Sequence, residues 1–228
     1  MSFTGESLLR RLADLEPQAG IPSRYIVAFS GGLDSTALLH ALAGARQSHG
    51  KPILAVYVDH GLQRDSVDWG ERCKQIAAGL GVEFSSRRVA VDLGSGLGLE
   101  AAARQARYSA LRSLLEPGDW LMSAHHRDDQ AETVLLNMMR GSGTSGLAGI
   151  APARRLAGGW LVRPLLDVPR SELEAYAEEH PRECLLRREL SAGTVLPDYA
   201  HDIEVALDAQ DPARIDALTE TDESQPGD

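Results

Sequence analysis

Short apolar runs alternate with stretches of helical spacing along most of the chain. Tyr25-Ile-Val-Ala-Phe29 and Ile53-Leu-Ala-Val-Tyr-Val58 are continuous runs rich in β-branched and aromatic residues. Such runs belong to strands covered on both faces. Val82–Val89, Trp120–Ala124 and Trp160–Arg163 are read as the third, fourth and fifth strands. Between them, apolar spacing predicts helices over residues 5–16 (through Leu8, Leu9, Leu12 and Leu15), Ser35–Arg46, Ser66–Leu80, Leu99–Leu115, Asp129–Arg140 and Arg170–Glu179. Pro17 and Pro22 are expected to close the first helix, and Pro117-Gly118 to stop the fourth. The alternation predicts an α/β fold: a doubly wound parallel sheet of about five strands with helices on both faces. Beyond residue 180 the periodicity weakens. The chain is therefore divided into a domain at 1–180 and a divergent tail at 181–228. The tail holds a helical piece near Asp202–Leu218 and a polar, acidic end expected to be disordered.

In doubly wound sheets ligands bind beyond the carboxyl ends of the strands. Four informative segments fall at such ends: Ser30–Ser35, Asp59–Leu62, the glycine-rich stretch 92–98, and Ala124–Asp129. Ser30-Gly31-Gly32-Leu33-Asp34-Ser35 reads as strand, tight turn and helix start. The glycines allow a sharp turn and close ligand approach. The helix that follows directs unpaired N–H groups and the positive end of its dipole at the turn, which suits phosphate. Ser30 and Ser35 add hydroxyls, and Asp34 adds a carboxylate for a metal ion or a substrate group. The loop is neither G-x-x-x-x-G-K-[ST] nor G-x-G-x-x-G, so it is not a Walker A loop or a dinucleotide fingerprint.

The other strand ends add further candidates. His60, in His60-Gly61-Leu62, is either a group that meets a nucleotide or orients a phosphate, or a plain turn histidine beside a glycine. Arg104 and Arg107 share a helix face with Glu100, either as a phosphate-binding fork or as a solvated ion-paired face. In His125-His126-Arg127-Asp128-Asp129-Gln130-Ala131-Glu132, the Asp129–Glu132 spacing is that of a capping box. Two histidines and two aspartates exceed what a cap needs. Asp128 or Asp129 can hold Mg²⁺ against the phosphates of a ligand. A zinc site is disfavoured, because sequential histidines do not easily share one metal. Arg140-Gly141-Ser142-Gly143 opens a glycine- and serine-rich loop, either a plain helix cap or a cover for substrate.

The net charge of −10 is unevenly placed. Residues 1–170 hold 19 basic and 17 acidic side chains, whereas residues 171–228 hold 4 and 16. The body is nearly neutral, with arginines clustered for local phosphate contacts. No run of about 20 apolar residues suggests a membrane span, and the first residues lack a secretory pattern, so a cytoplasmic location is expected. Cys73 and Cys184 are widely separated and are read as free thiols.

The Ser-Gly-Gly-x-Asp-Ser loop resembles the pyrophosphate-binding loop of the N-type ATP pyrophosphatases. The resemblance narrows when the other segments are added in order. Ser30–Ser35, His60-Gly-Leu62, Glu100 with Ala103-Arg104 and Arg107-Tyr108, Ala124-His-His with Asp128-Asp-Gln and Glu132-Thr133, Arg140-Gly-Ser-Gly with Gly146-Leu147, and Arg163-Pro-Leu-Leu166 together look like the tRNA(Ile)-lysidine synthetase family. It covers roughly residues 20–180. The resemblance implies an adenine-nucleotide alpha-hydrolase-like, Rossmann-like fold and a ligase using ATP and Mg²⁺. ATP would adenylate C2–O of the wobble cytidine (anticodon position 34) in a tRNA(Ile) with a CAU anticodon. L-lysine would then displace AMP. It further implies phosphate binding by Ser30, Gly31, Gly32, Leu33, Asp34, Ser35 and His60, and catalytic carboxylates among Asp34, Asp128, Asp129 and Glu132. Asp34, Asp128 and Asp129 are the Mg²⁺ candidates. Arg104, Arg107, His125, Arg140, Gly141, Ser142 and Gly143 would contact tRNA or phosphate. Members are often homodimers, and no membrane partner is expected.

The chain departs from the family pattern at Pro181–Arg188, and its residues after that point are not expected to form the family's C-terminal tRNA-gripping domains, so weakened tRNA binding is expected. Three other readings stand beside this one: a tRNA thiolase carrying sulfur on Cys73 and Cys184, a small-molecule adenylating synthetase, and a non-catalytic ATP-binding module.

Overall fold

The computed structural model describes residues 2–59, 66–90, 99–139 and 148–184. The strands are β1 (Arg24–Ala28), β2 (Ile53–Asp59), β3 (Glu83–Arg88), β4 (Asp119–Met122), β5 (Ala153–Leu156) and β6 (Gly159–Val162). The helices are α1 (Gly5–Ala19), α2 (Leu33–Gly44), α3 (Arg46–His49), α4 (Ser66–Gly79), α5 (Leu99–Arg112), α6 (Arg127–Met139), α7 (Arg170–Glu179) and α8 (Pro181–Cys184).

The strands form one sheet in the order β3-β2-β1-β4-β6-β5. All neighbours are parallel except β5, which runs antiparallel to β6. The expected parallel sheet is thus present, with one strand more than the pattern of apolar runs gave. Ala153-Arg-Arg-Leu156 carries two arginines at its centre and so shows no apolar run. It is an edge strand: Ala153 and Leu156 are buried, and the arginines lie nearer solvent. Ala157, at the β5–β6 turn, has a left-handed φ of 49°.

Alternate residues of the central strands feed two cores. Tyr25, Val27, Ala55, Tyr57, Trp120, Met122 and Val162 pack with residues of α1, α2, α4 and α7 on one face. Ile26, Leu54, Val56, Leu121 and Leu161 pack with Tyr108 and Leu111 of α5 on the other. The central helix α2 is buried from Asp34 through Leu39, again at Ala41 and Leu42, and lies against α1, α7 and α8.

Several boundaries differ from the sequence reading, two of them as follows. α1 continues through Pro17 to Ala19. Proline in the last turn forgoes one bond to the preceding turn, and the helix still closes, with Gly20 N–H on Glu16 O at 2.8 Å. The chain also stays packed after residue 180: α8 lies on α2 and α7, and Cys184 is buried. Among the described residues no helix is long and apolar enough to cross a membrane.

Candidate active site

The sheet order reverses beside β1. From β1 the chain passes outward through β2 to β3, then returns to place β4 on the other side of β1. The crevice beyond the carboxyl ends of β1 and β4 is the topological switch point, where doubly wound sheets bind ligands. Two of the four candidate segments, Ser30–Ser35 and Ala124–Asp129, leave β1 and β4 at this point.

The first segment is held by short internal bonds. Gly32 caps α2 with extended backbone, and its carbonyl accepts from Thr36 N–H (3.0 Å), Thr36 Oγ1 (2.7 Å) and Ser35 Oγ (3.1 Å). Ser30 Oγ accepts from Gly32 N–H at 3.3 Å and lies 3.1 Å from Ser35 Oγ. The amides of Leu33, Asp34 and Ser35 open the helix, where no carbonyl of the preceding turn is available to them. This is an anion-receiving geometry with two hydroxyls beside it. Asp34, in the first turn of α2, is 5% exposed.

The second segment brings a histidine and another aspartate to the same place. His126 is fully buried, with its Nε2 3.8 Å from Asp34 Oδ2 and its Nδ1 3.4 Å from Asp129 Oδ2. Asp129 Oδ2 also accepts the His126 backbone N–H at 2.6 Å. α6 therefore begins two residues earlier than its apolar spacing indicates. Asp129 is the third helical residue reaching back to the cap, rather than the cap itself with Glu132 as its partner. His125 is buried beside it, with Nδ1 2.6 Å from Ser123 Oγ. Leu165 bridges to His126, and Arg127 N–H donates to Val168 O at 2.9 Å, fastening this corner to the chain after β6.

The remaining expected residues are placed as follows. Asp128 and Glu132 are exposed on α6. Arg104 is buried on α5, its guanidinium 4.9 Å from the centre of the Tyr108 ring, and Arg154 of β5 approaches the same ring at 5.7 Å. Arg107 is half-buried on α5. His60, Arg140, Gly141, Ser142 and Gly143 lie outside the described residues. Three participants were given no individual role from sequence. His126 joins the two loops, Thr36 fastens Gly32, and Trp69 of α4 donates its indole N–H to the Ser30 carbonyl at 2.7 Å. A doubled histidine at a strand end signals the first; nothing in the spacing of residues signals Trp69.

Neither cysteine is placed for chemistry. Cys73 is 1% exposed and Cys184 5%. Burial pushes the Cys73 thiol up to about 12, so almost no thiolate exists near neutrality. We expect a thiol reagent such as dithionitrobenzoate to release no colour from the native chain at pH 8, and to titrate both cysteines once denaturant is added. A reactive native thiol would reopen the sulfur-carrying reading.

Comparison with known proteins places the chain in a family. Residues 6–183 match the PP-loop domain family. The chain belongs to that family. A tRNA(Ile)-lysidine synthase of Alkalilimnicola ehrlichii is 53% identical over 175 residues, covering 77% of this chain and 38% of that protein. The enzyme of the same name from Pseudomonas syringae pv. tomato is 48% identical over 174 residues, covering 76% and 39%. The chain thus spans under two fifths of the length of these relatives. Among solved structures, the U34-tRNA thiolase NcsA from Methanococcus maripaludis aligns with a TM-score of 0.62 at 17% identity, over 98% of this chain and 82% of that one. The NMN synthetase from Francisella tularensis aligns at 0.53 and 12% identity, over 97% and 86%. These two likenesses concern the fold.

Among the described residues no group of three or more His, Cys, Asp or Glu side chains is arranged to hold a metal ion alone. The donor set fits magnesium held mainly by substrate. Asp34 at the loop and the exposed Asp128 are hard oxygen donors, and phosphates commonly supply the rest of such a shell. Asp129 is fully buried and already engaged with His126.

Proposed function

We propose that this chain carries out the ATP-dependent chemistry of a tRNA(Ile)-lysidine synthase, a ligase that forms a carbon–nitrogen bond. The supporting observation is the meeting of Asp34 and His126 across the switch point, in a PP-loop domain about half identical to enzymes of that name. The acceptor is the wobble cytidine of tRNA(Ile) with a CAU anticodon. Its C2 oxygen attacks the α-phosphorus of ATP, the bond to pyrophosphate breaks, and C2 becomes activated. An amino nitrogen of L-lysine then attacks C2, loses its proton, and expels AMP with the C2 oxygen.

The placement of the residues supports the following roles. Ser30, Ser35 and the amides opening α2 hold phosphate oxygens. Asp34 and Asp128 would hold Mg²⁺, which when bound would neutralise charge on the leaving pyrophosphate. Asp129 fixes His126 against Asp34 rather than contacting ATP. Glu132, exposed on α6, is the candidate to receive the lysine amine. Arg104 and Arg107 supply positive charge for the tRNA or for phosphate.

The test is pyrophosphate release from MgATP, with and without a tRNA(Ile) transcript and lysine. Release that requires the transcript supports the proposal. Release without any RNA would instead favour a small-molecule adenylating enzyme, and ATP binding without release a non-catalytic module.

A further inference from the structure

We infer that Trp69 is a positioning residue that, seated with Cys73 on α4, sets the backbone of the Ser30–Gly31–Gly32 turn for ATP; this rests on the reading of that turn as the ATP site. Gly31 has a φ of +75°, a left-handed conformation that side chains disfavour. A Cβ at Gly31 would lie 2.7 Å from Cys73 Sγ and 3.0 Å from Trp69 Nε1. The turn therefore rests directly on α4, with no room between. Trp69 also takes the Ser30 carbonyl at 2.7 Å through its indole N–H. In a planar trans peptide the carbonyl and the next N–H point in opposite directions. By drawing the Ser30 oxygen toward α4, Trp69 turns the Gly31 N–H away from α4 and fixes it as a donor. An indole one helical turn before a buried thiol (positions 69 and 73) meets both needs from one helix face. Neither residue touches the atoms that react; both act through the backbone between Ser30 and Gly32.

Trp69→Phe keeps the ring and removes only the N–H. Using the full chain, with MgATP as the titrant in calorimetry, we expect the dissociation constant to rise roughly tenfold. The KM for lysine should stay within twofold, and the melting temperature within a few degrees. A loss of general packing would instead lower the melting temperature and disturb both substrates. A Trp69→Phe chain that binds MgATP within twofold of wild type overturns the inference. Wild type that fails to bind MgATP overturns the reading of the site itself, and the inference with it. Should Trp69→Phe not fold, Gly31→Ala decides. It should weaken MgATP binding at least tenfold, and adding Cys73→Ala should recover at least threefold by clearing the sulfur beneath the new methyl. Absence of recovery contradicts the contact between turn and helix.

Discussion

Replacing Asp34 by asparagine is expected to lower tRNA-dependent pyrophosphate release by about 10²- to 10³-fold, the range seen when one preorganised electrostatic group is removed from a reacting centre. Asparagine preserves volume and hydrogen-bonding capacity at a position only 5% exposed, so the core is not opened. What is lost is the negative charge. That charge lies 3.8 Å from His126 Nε2 and in the first turn of α2, where the helix dipole favours an anion. If Asp34 holds Mg²⁺ on the phosphates, the loss concentrates in turnover, and raised magnesium restores part of it. Initial rates of pyrophosphate release across a magnesium titration measure both effects. Full retained activity in Asp34→Asn removes Asp34 from the mechanism.

Asp129→Ala is expected to cost about 2–4 kcal/mol of stability, because it strips a buried N–H of its acceptor and a buried imidazole of its carboxylate. Asp129 is fully buried, accepts the His126 N–H at 2.6 Å, and lies 3.4 Å from His126 Nδ1. Asp129→Asn keeps an oxygen for the backbone bond and should cost about half as much. Urea unfolding gives both values, and the m-value shows whether the native state itself has changed. The pair of variants also separates two roles. As a positioning residue, Asp129 loses activity in step with stability. As a metal ligand, Asp129→Asn would lose activity far beyond its small stability cost.

Much of this fold can be read along the chain because buried parallel strands advertise themselves. Ile53–Val58 is apolar on both faces because β2 is covered by α4 on one side of the sheet and by α5 on the other. Arg170–Glu179 carries helical spacing and forms α7 with the same bounds. β5 is hidden by its two arginines, which an edge strand tolerates and a central strand would not. The start of α6 is obscured by the crowd of capping-type residues at 125–132, where two registers of the same motif compete. At the site, Ser30–Ser35 is legible because glycine, serine and aspartate have separate jobs in a phosphate turn. The coupling of Asp34 to His126 is not legible, since it depends on β4 returning beside β1, a fact of topology rather than of spacing. Trp69 is hidden for the same reason: its partner is a backbone carbonyl 39 residues away.

The most direct test of the central claim is the mass of the wobble nucleoside. A tRNA(Ile) transcript with a CAU anticodon is incubated with the full chain, MgATP and isotope-labelled lysine, then digested to nucleosides. The account predicts a cytidine heavier by one lysine less one water, carrying the label, absent when ATP or lysine is withheld and formed about 10²-fold or more slowly with Asp34→Asn. A labelled product that forms without ATP, or a transcript that gains sulfur or nothing while ATP is split, would contradict it.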